Sequence, residues 1–309
     1  MKQEKHPKIG IGMPVLNGEA VIGRALDDLL DQTFTDFEIV VCDNASEDRT
    51  RAIVESYMEK DERIRLLAFD ERADIMLSFK RAYDNCSAPY FLFAPADDRW
   101  YRGFLEETLA VLERNPDIIA CTGRVAFISR GRFSHITSGT RPLMGDTRQN
   151  LASYMSDPAE NARAFSLIRH RALEGAFPKA EYPGWDFQMI ARTLPKGRYC
   201  EIPRVLAERD TTTYAAYLKH AEAYFGWSPL RFFPLSRTAI EVWRDRRIPK
   251  SLPLARALVR LVVSSHLSYA AMRLPRWHRF LLALLGRDFQ TRIAARQRAG
   301  DADQTESGG

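Results

Sequence analysis

Short apolar runs alternate along most of the chain with segments whose apolar residues return every three or four positions. KIGIGMPVL (Lys8 to Leu16) is apolar almost throughout and is followed by Asn17-Gly18, which predicts a strand and a turn. Val21, Ile22, Ala25, Leu26, Leu29 and Leu30 then fall on one helical face. FEIVVCDNAS (Phe37 to Ser46) reads as a second strand breaking into a polar turn, with Ser46 as N-cap of a helix over RTRAIVESYMEK. RIRLLAF, SFKRAYDNC and PYFLFAPADD predict a third strand, a third helix and a fourth strand. FLEETLAVLERNPD is a helix stopped at Asn115-Pro116, and DIIACTGRVAFIS is another strand. Strands that are apolar on both sides and separated by helices predict an α/β fold, with a mainly parallel central sheet flanked by helices.

Beyond that point the pattern weakens. Residues 129–165 are polar and punctuated by Gly and Pro, and no element is assigned to them. AFSLIRHRALEGAFP suggests a strand and then a helix, WDFQMIARTLPKG a helix ended by Pro195 and Gly197, and RYCEIPRVLAERD a strand. Helical patterns dominate from about Tyr214, and GDADQTESGG has the composition of a disordered tail.

In sheets of this kind ligands collect at the carboxyl ends of the strands. Asn17, Asp43 and the pair Asp97/Asp98 each stand at such an end, so separate stretches of sequence converge on one crevice. Two adjacent carboxylates at the end of a buried strand are costly unless a cation or a set of hydroxyls meets them. The alternative is that Asp97 and Asp98 cap the helix beginning near Gly103; Asp43 reads equally as an Asx-turn residue and Asp186 as a helix N-terminal acid.

The chain of 309 residues is long enough for a large core. Its four cysteines, Cys42, Cys86, Cys121 and Cys200, show no C-x-x-C spacing, which argues against a disulfide framework or a zinc site and for a reducing, cytoplasmic setting. MKQEKHPK leads into the first strand without an apolar h-region, and no uncharged run reaches the length of a membrane span. No G-x-G-x-x-G follows the first strand, which disfavours a dinucleotide oxidoreductase.

The net charge of +5 is unevenly spread: Arg231 to Arg298 holds fifteen Lys or Arg against three Asp or Glu, so the rest of the chain is net acidic. Leu254, Ala257, Leu258, Leu261, Val262 and Ser265 recur at helical spacing there with arginines beside them, and WHRFLLALLGRDF repeats the type. Such basic amphipathic helices either lie on an anionic membrane surface, pack on the main domain, or join copies of the chain. Nucleic acid is not an expected partner, because the arginines accompany leucines in helical register and no nucleic-acid motif is present.

Pro14 with Asn17, the stretch LLDQTFTDFEIVVCDNASEDRT, the DD pair and the later WDFQMIAR together resemble the family-2 glycosyltransferases, over roughly residues 8–212. The resemblance implies a GT-A-type nucleotide-binding fold and an inverting transfer of a sugar from a UDP, GDP or dTDP sugar to a hydroxyl on a glycan or lipid-linked carrier, as in polysaccharide biosynthesis. It implies Pro14, Leu16 and Asn17 as the first nucleotide loop, Asp43 as the partner of the base, Asp97 facing the ribose or sugar, and Asp98 as the ligand of Mn²⁺ or Mg²⁺. Asp186 corresponds to the catalytic base, with Trp185 where the family has glutamate. Arg209, the last residue of VLAER, fits the family's arginine at the end of that strand, and Arg72, near a family asparagine, reads either as a diphosphate contact or as a solvated surface arginine. The family often reads D-x-D-D where this chain has Pro95-Ala96-Asp97-Asp98, and the late histidine is replaced by Thr211 to Thr213. A sugar-nucleotide or glycan-binding protein without turnover, and a nucleotidyltransferase, are the alternatives; the second lacks its Gly-rich basic first loop in MPVLNGEAVI.

The expected organisation is a GT-A domain over residues 1–215, with a nucleotide-binding half at about 8–125 and an acceptor half at about 126–215. A basic amphipathic helical extension follows at 216–298, and then a disordered tail at 299–309.

Overall fold

The computed structural model describes residues 7–129, 131–210, 221–273 and 276–277. The expected tail, most of the WHRFLLALLGRDF segment and Thr211 to Thr213 lie outside the described residues.

The first half alternates as expected: β1 (Ile9–Val15), α1 (Ile22–Leu30), β2 (Phe37–Asp43), α2 (Thr50–Met58), β3 (Ile64–Ala68), α3 (Ile75–Asp84) and β4 (Tyr90–Phe93). A two-residue β5 (Arg99–Trp100) precedes α4 (Phe104–Arg114) and β6 (Ile118–Ser129). The stretch left unassigned holds β7 (Arg132–Ile136) and α5 (Thr147–Ser156). Next come β8 (Leu167–Arg169), α6 (Trp185–Thr193), β9 (Arg198–Asp210), α7 (Ser236–Arg244) and α8 (Leu252–Arg273). The helix expected after β8 does not form; a three-residue 3-10 turn, His170–Ala172, stands there, and Gly175 bends the chain with φ +65°.

The strands run β3-β2-β1-β4-β8-β6-β9-β5, with β7 on the flank of β6. The first four are mutually parallel and β9 is parallel to β6, whereas β8, β5 and β7 pair antiparallel. Two buried cores cover the two faces. Val40, Cys42, Phe91 and Phe93 point into one, Ile39, Val41, Tyr90 and Leu92 into the other, so strands that read as continuous apolar runs still alternate at period two. Pro14 sits late in a central strand without loss, because β4 leaves the ladder at Gly12↔Phe93 and β1 has only β2 beside it there.

The C-terminal helices belong to the same body. Leu254, Ala257, Leu258 and Leu261, four residues of the apolar stripe, are buried in one core with Phe93, Leu151 and Trp185. That stripe therefore faces the domain. The opposite face of α8 exposes Leu252, Arg256, Val259, Arg260 and Val263, a mixed apolar and basic row at helical spacing.

Candidate active site

The carboxyl ends of β1, β2 and β4 lie side by side, since Val15 pairs with Asp43 and the Ala94 amide bonds the Gly12 carbonyl at 3.0 Å. After β1 the chain turns at Asn17, whose φ of 51° is in the left-handed region that asparagine tolerates. Its amide donates to Ser46 Oγ at 2.8 Å, and its Oδ1 accepts from the Glu47 amide at 2.9 Å. Ser46 thus clasps the first loop to the second and does not cap α2, whose N-cap Arg49 makes no side-chain cap bond. Gly18 and Glu19 donate their amides to Thr50 and Asp48 in the same seam. Leu16 is half-buried and Asn17 exposed at its edge.

Asp43 is fully buried. Its Oδ2 accepts from Arg51 Nε at 2.6 Å and from the Ser46 amide at 3.2 Å, while its buried Oδ1 has no hydrogen-bond donor. Next to it, Asn44 holds the following loop with two bonds to Ala73, donating to its carbonyl at 3.0 Å and accepting from its amide at 2.8 Å. Arg72, in that loop, is exposed at the rim.

The DD pair divides by exposure. Asp97 is exposed and Asp98 only 2% so. Neither caps α4, whose N-cap is Gly103 with no side-chain bond. Asp98 Oδ1 accepts from Arg209 Nε at 3.0 Å, and its buried Oδ2 accepts nothing. Burial pushes the Asp98 carboxyl up to about 7, against the pull of Arg209 and with Asp97 adding to the rise. One guanidinium is not enough to settle this charge. The Arg209 guanidinium sits over Phe165, 3.7 Å from the ring centre, which helps fix its direction.

Asp186 stands in the first turn of α6, where the helix terminus favours a carboxylate. Gly184, at φ +79°, makes the turn that presents it. A Cβ there would lie 2.5 Å from Thr238 Oγ1, and Thr238 bonds the Pro183 carbonyl at 2.8 Å, so α7 braces the turn from behind. Burial raises the Asp186 pKa; a hydrogen bond from Asn161 Nδ2 to Oδ2 at 2.6 Å, the amides of Asp186 and Phe187, and Arg209 oppose the rise. Arg209 is thus common to both carboxylates: it bonds Asp98 and its charge acts on Asp186. Trp185 turns away into an aromatic cluster, stacked on Phe177 with centres 5.9 Å apart and edge-on to Phe79.

Sequence reasoning missed Asn161, Tyr154 and Arg51. Arg51 was open to detection, because a basic residue in the first turn of a helix opposes the dipole and wants an acidic partner. His170 is half-buried: it stacks on Tyr83 and its Nε2 contacts the Cys86 carbonyl at 2.8 Å. All four cysteines are free, and among the described residues no group of three or more His, Cys, Asp or Glu surrounds a common point. No helix among them is long and apolar enough to cross a membrane.

The family described as Glycosyl transferase family 2 matches residues 11–177, which include every one of these loops except those carrying Asp186 and Arg209. The chain belongs to that family. Among curated family-2 relatives, the putative teichuronic acid biosynthesis glycosyltransferase TuaG of Bacillus subtilis is 26% identical over 117 residues, 38% of this chain and 46% of TuaG. The Escherichia coli UDP-Glc:alpha-D-GlcNAc-diphosphoundecaprenol beta-1,3-glucosyltransferase WfgD is 30% identical over 107 residues, 35% of this chain and 42% of WfgD. The chain thus matches under half the length of these relatives. The fold extends further than the sequence match. Residues 1–349 of S. aureus TarS, in complex with UDP-GlcNAc, superpose with TM-score 0.63 at 16% identity, covering 86% of this chain and 74% of that one. The mannosyltransferase PcManGT from Pyrobaculum calidifontis, in complex with GDP-Man and Mn²⁺, gives TM-score 0.53 at 19% identity, covering 93% and 83%. The family-2 chain therefore carries the GT-A architecture, and its sheet, parallel through four strands and mixed beyond them, is the form that architecture takes here.

Proposed function

We propose that this protein transfers a sugar from a nucleotide-sugar donor to a hydroxyl acceptor by single displacement with inversion. The observation that carries the reading is the buried Asp98 at the strand ends, whose Oδ2 has no donor although Arg209 bonds its Oδ1. In this reading the loop of Pro14, Leu16 and Asn17 borders the nucleotide, and the unpartnered Oδ1 of Asp43 accepts the N–H of a uracil-type base. Asp97, exposed, meets ribose or sugar hydroxyls, and Arg72 meets the diphosphate from the rim.

The residues at the strand ends fit a divalent cation. Asp98 Oδ2 is a hard oxygen donor with no partner, on a carboxylate whose charge Arg209 leaves incompletely compensated, and Asp97 is beside it. With one or two protein carboxylates, phosphate and water would complete the shell. Such an ion supplies positive charge to a departing diphosphate. Across the cleft, Asp186 takes the proton of the acceptor hydroxyl as its oxygen forms the new bond to the anomeric carbon. The bond from that carbon to the phosphate oxygen breaks, and its electron pair leaves with the nucleotide.

The names of WfgD and TuaG, and the uridine nucleotide bound to TarS, favour a UDP-sugar and an acceptor that is lipid-linked or part of a growing glycan. A lipid-linked acceptor calls for approach to a membrane. The outer row of α8 and Trp227, 95% exposed with Arg231 lying over its ring, provide apolar and basic side chains suited to an anionic bilayer surface. Flotation with phosphatidylglycerol vesicles should carry the protein upward, and phosphatidylcholine vesicles should not; equal behaviour with both removes this part of the reading.

A thermal-shift panel of UDP-glucose, UDP-GlcNAc, GDP-mannose and dTDP-glucose, each with and without Mn²⁺, tests the main reading. A metal-dependent rise in melting temperature, accompanied by slow release of nucleoside diphosphate, supports a transferase. A shift without any release supports a binding protein, and no shift with any donor contradicts both.

A further inference from the structure

Asn161 is 2% exposed, lies in the segment between α5 and β8, and has φ 51°. Its backbone is tied at both ends, the amide donating to the Pro158 carbonyl at 3.0 Å and the carbonyl accepting from the Ala164 amide at 3.0 Å. Asparagine is among the few residues apart from glycine that adopt this conformation readily, so the position can carry a functional amide at little backbone cost. That amide spans two groups. Nδ2 donates to Asp186 Oδ2 at 2.6 Å, and Oδ1 accepts from the phenol of Tyr154, also at 2.6 Å.

The direction of this relay follows from its ends. Tyr154 is 1% exposed and burial holds its phenol protonated far above the ordinary range, so it remains a donor. The Asp186 carboxylate, ionised as a base, can only accept, so the amide presents its N–H₂ to it and its oxygen to the Tyr154 hydroxyl, which donates. The reversed amide would set a carbonyl oxygen against a carboxylate oxygen at the same short distance.

We propose that Asn161 is a positioning residue for the acceptor-activating carboxylate, holding Asp186 Oδ2 in a fixed orientation, and that Tyr154 locks the Asn161 amide in the direction that does so. This rests on the reading of Asp186 as the base. Among the described residues, the groups that act on Asp186 are Asn161 from the α5–β8 segment, Tyr154 from α5, Tyr182 from the loop before α6 and Arg209 from β9. Of these Arg209 alone is charged, and its bond to Asp98 and contact with Phe165 do not involve Asn161. Losing the amide removes a hydrogen bond that favours the charged carboxylate, so the base should then require a higher pH to ionise.

The test is the pH–rate profile of donor hydrolysis, with water as acceptor, using whichever sugar nucleotide of the panel turns over fastest. Wild type is compared with Asn161→Gly, which keeps the left-handed backbone and deletes the amide, with Tyr154→Phe, and with Asp186→Asn. Asn161→Gly should lower kcat ten- to a hundredfold, change the donor KM less than twofold, and move the acid limb of kcat to higher pH. Tyr154→Phe should move it in the same direction by less, and serves alone if the glycine variant does not show the Mn²⁺-dependent thermal shift of a folded protein. A fall in kcat with an unmoved acid limb, or an unchanged kcat, overturns the relay while Asp186→Asn remains inactive. If Asp186→Asn still turns over, or if no donor does, it is the underlying base assignment that fails.

Discussion

Arg209 bonds one oxygen of Asp98 at 3.0 Å and leaves the other, buried, without any donor. A carboxylate so placed is half-compensated, and burial, opposed only in part by Arg209, pushes its pKa up to about 7. Because the folded value lies above the unfolded one of about 3.9, the folded protein holds this proton more tightly between the two. Stability contributed by the group is therefore greatest below about pH 4 and declines as pH rises through 7, by about 4 kcal/mol at most. Urea midpoints of the metal-free protein should fall between pH 5 and 8, and fall less in Asp98→Asn. Parallel pH dependence in the two proteins would show that Asp98 is compensated after all.

Asp43 is the second buried carboxylate with an unused oxygen, but its partner Arg51 is about one-third exposed. Removing the charge should therefore disturb the fold little and the nucleotide site much. Asp43→Asn is expected to weaken UDP binding about tenfold or more, by roughly 1–3 kcal/mol for a lost buried hydrogen bond, with a melting temperature close to wild type. Titration of UDP by calorimetry checks this, and undiminished affinity would place the base elsewhere.

The turn before Asp186 has no room for a side chain. In Gly184→Ala a methyl group would meet Thr238 Oγ1 at 2.5 Å and Leu235 Cδ2 at 2.6 Å, at φ +79°. Strain and overpacking should cost about 1–3 kcal/mol, and the displaced base should lower kcat more than it raises KM for the donor. Steady-state kinetics beside a urea titration separate the two effects; a stable variant with normal kcat would mean that α7 does not brace the site.

How much of this was legible in the sequence depended on periodicity. The strands β1, β2, β4 and β6 announced themselves because burial on both faces makes them apolar throughout. The element α5 did not, because its buried face is Asn150, Leu151, Tyr154 and Met155, and an asparagine in that row hides the helical spacing. Its capping box, Asp146 with Gln149, was nevertheless present in the text and would have marked its start. The basic stripe of α8 was read correctly as helical, yet amphipathicity alone could not say whether its apolar face meets lipid or protein; it meets the core. Asp43, Asp97, Asp98 and Asp186 could be singled out because strand ends and helix starts are visible in one dimension. Asn161 could not, since its role depends on a left-handed backbone and on a tyrosine seven residues earlier in a helix that had not been recognised.

The C-terminal helices are fastened by an ion cluster centred on the buried Asp245 as well as by apolar packing. Asp245, just past α7, pairs with Arg192 of α6 and with Arg247, at 3.0 Å in the latter case. Burial works against its charge, but the Arg247 and Arg192 guanidinium groups outweigh it and hold the pKa at about 2. This folded value lies below the unfolded one, so the stabilisation is complete above about pH 4 and is lost as pH falls through 2, about 2 kcal/mol in all. Asp245→Asn should lower the melting temperature at pH 7 and flatten the acid limb of the stability profile. An acid limb as steep as that of wild type would contradict the assignment.

The central claim is that nucleotide, cation and base share one cleft, and titration calorimetry of UDP with and without Mn²⁺ tests it most directly when run on wild type, Asp98→Ala and Asp186→Asn in parallel. Wild type should bind UDP at least tenfold more tightly with Mn²⁺ than without, Asp98→Ala should lose that gain, and Asp186→Asn should keep it while failing to turn over any donor. Undiminished Mn²⁺ dependence in Asp98→Ala, together with normal turnover in Asp186→Asn, would contradict the account.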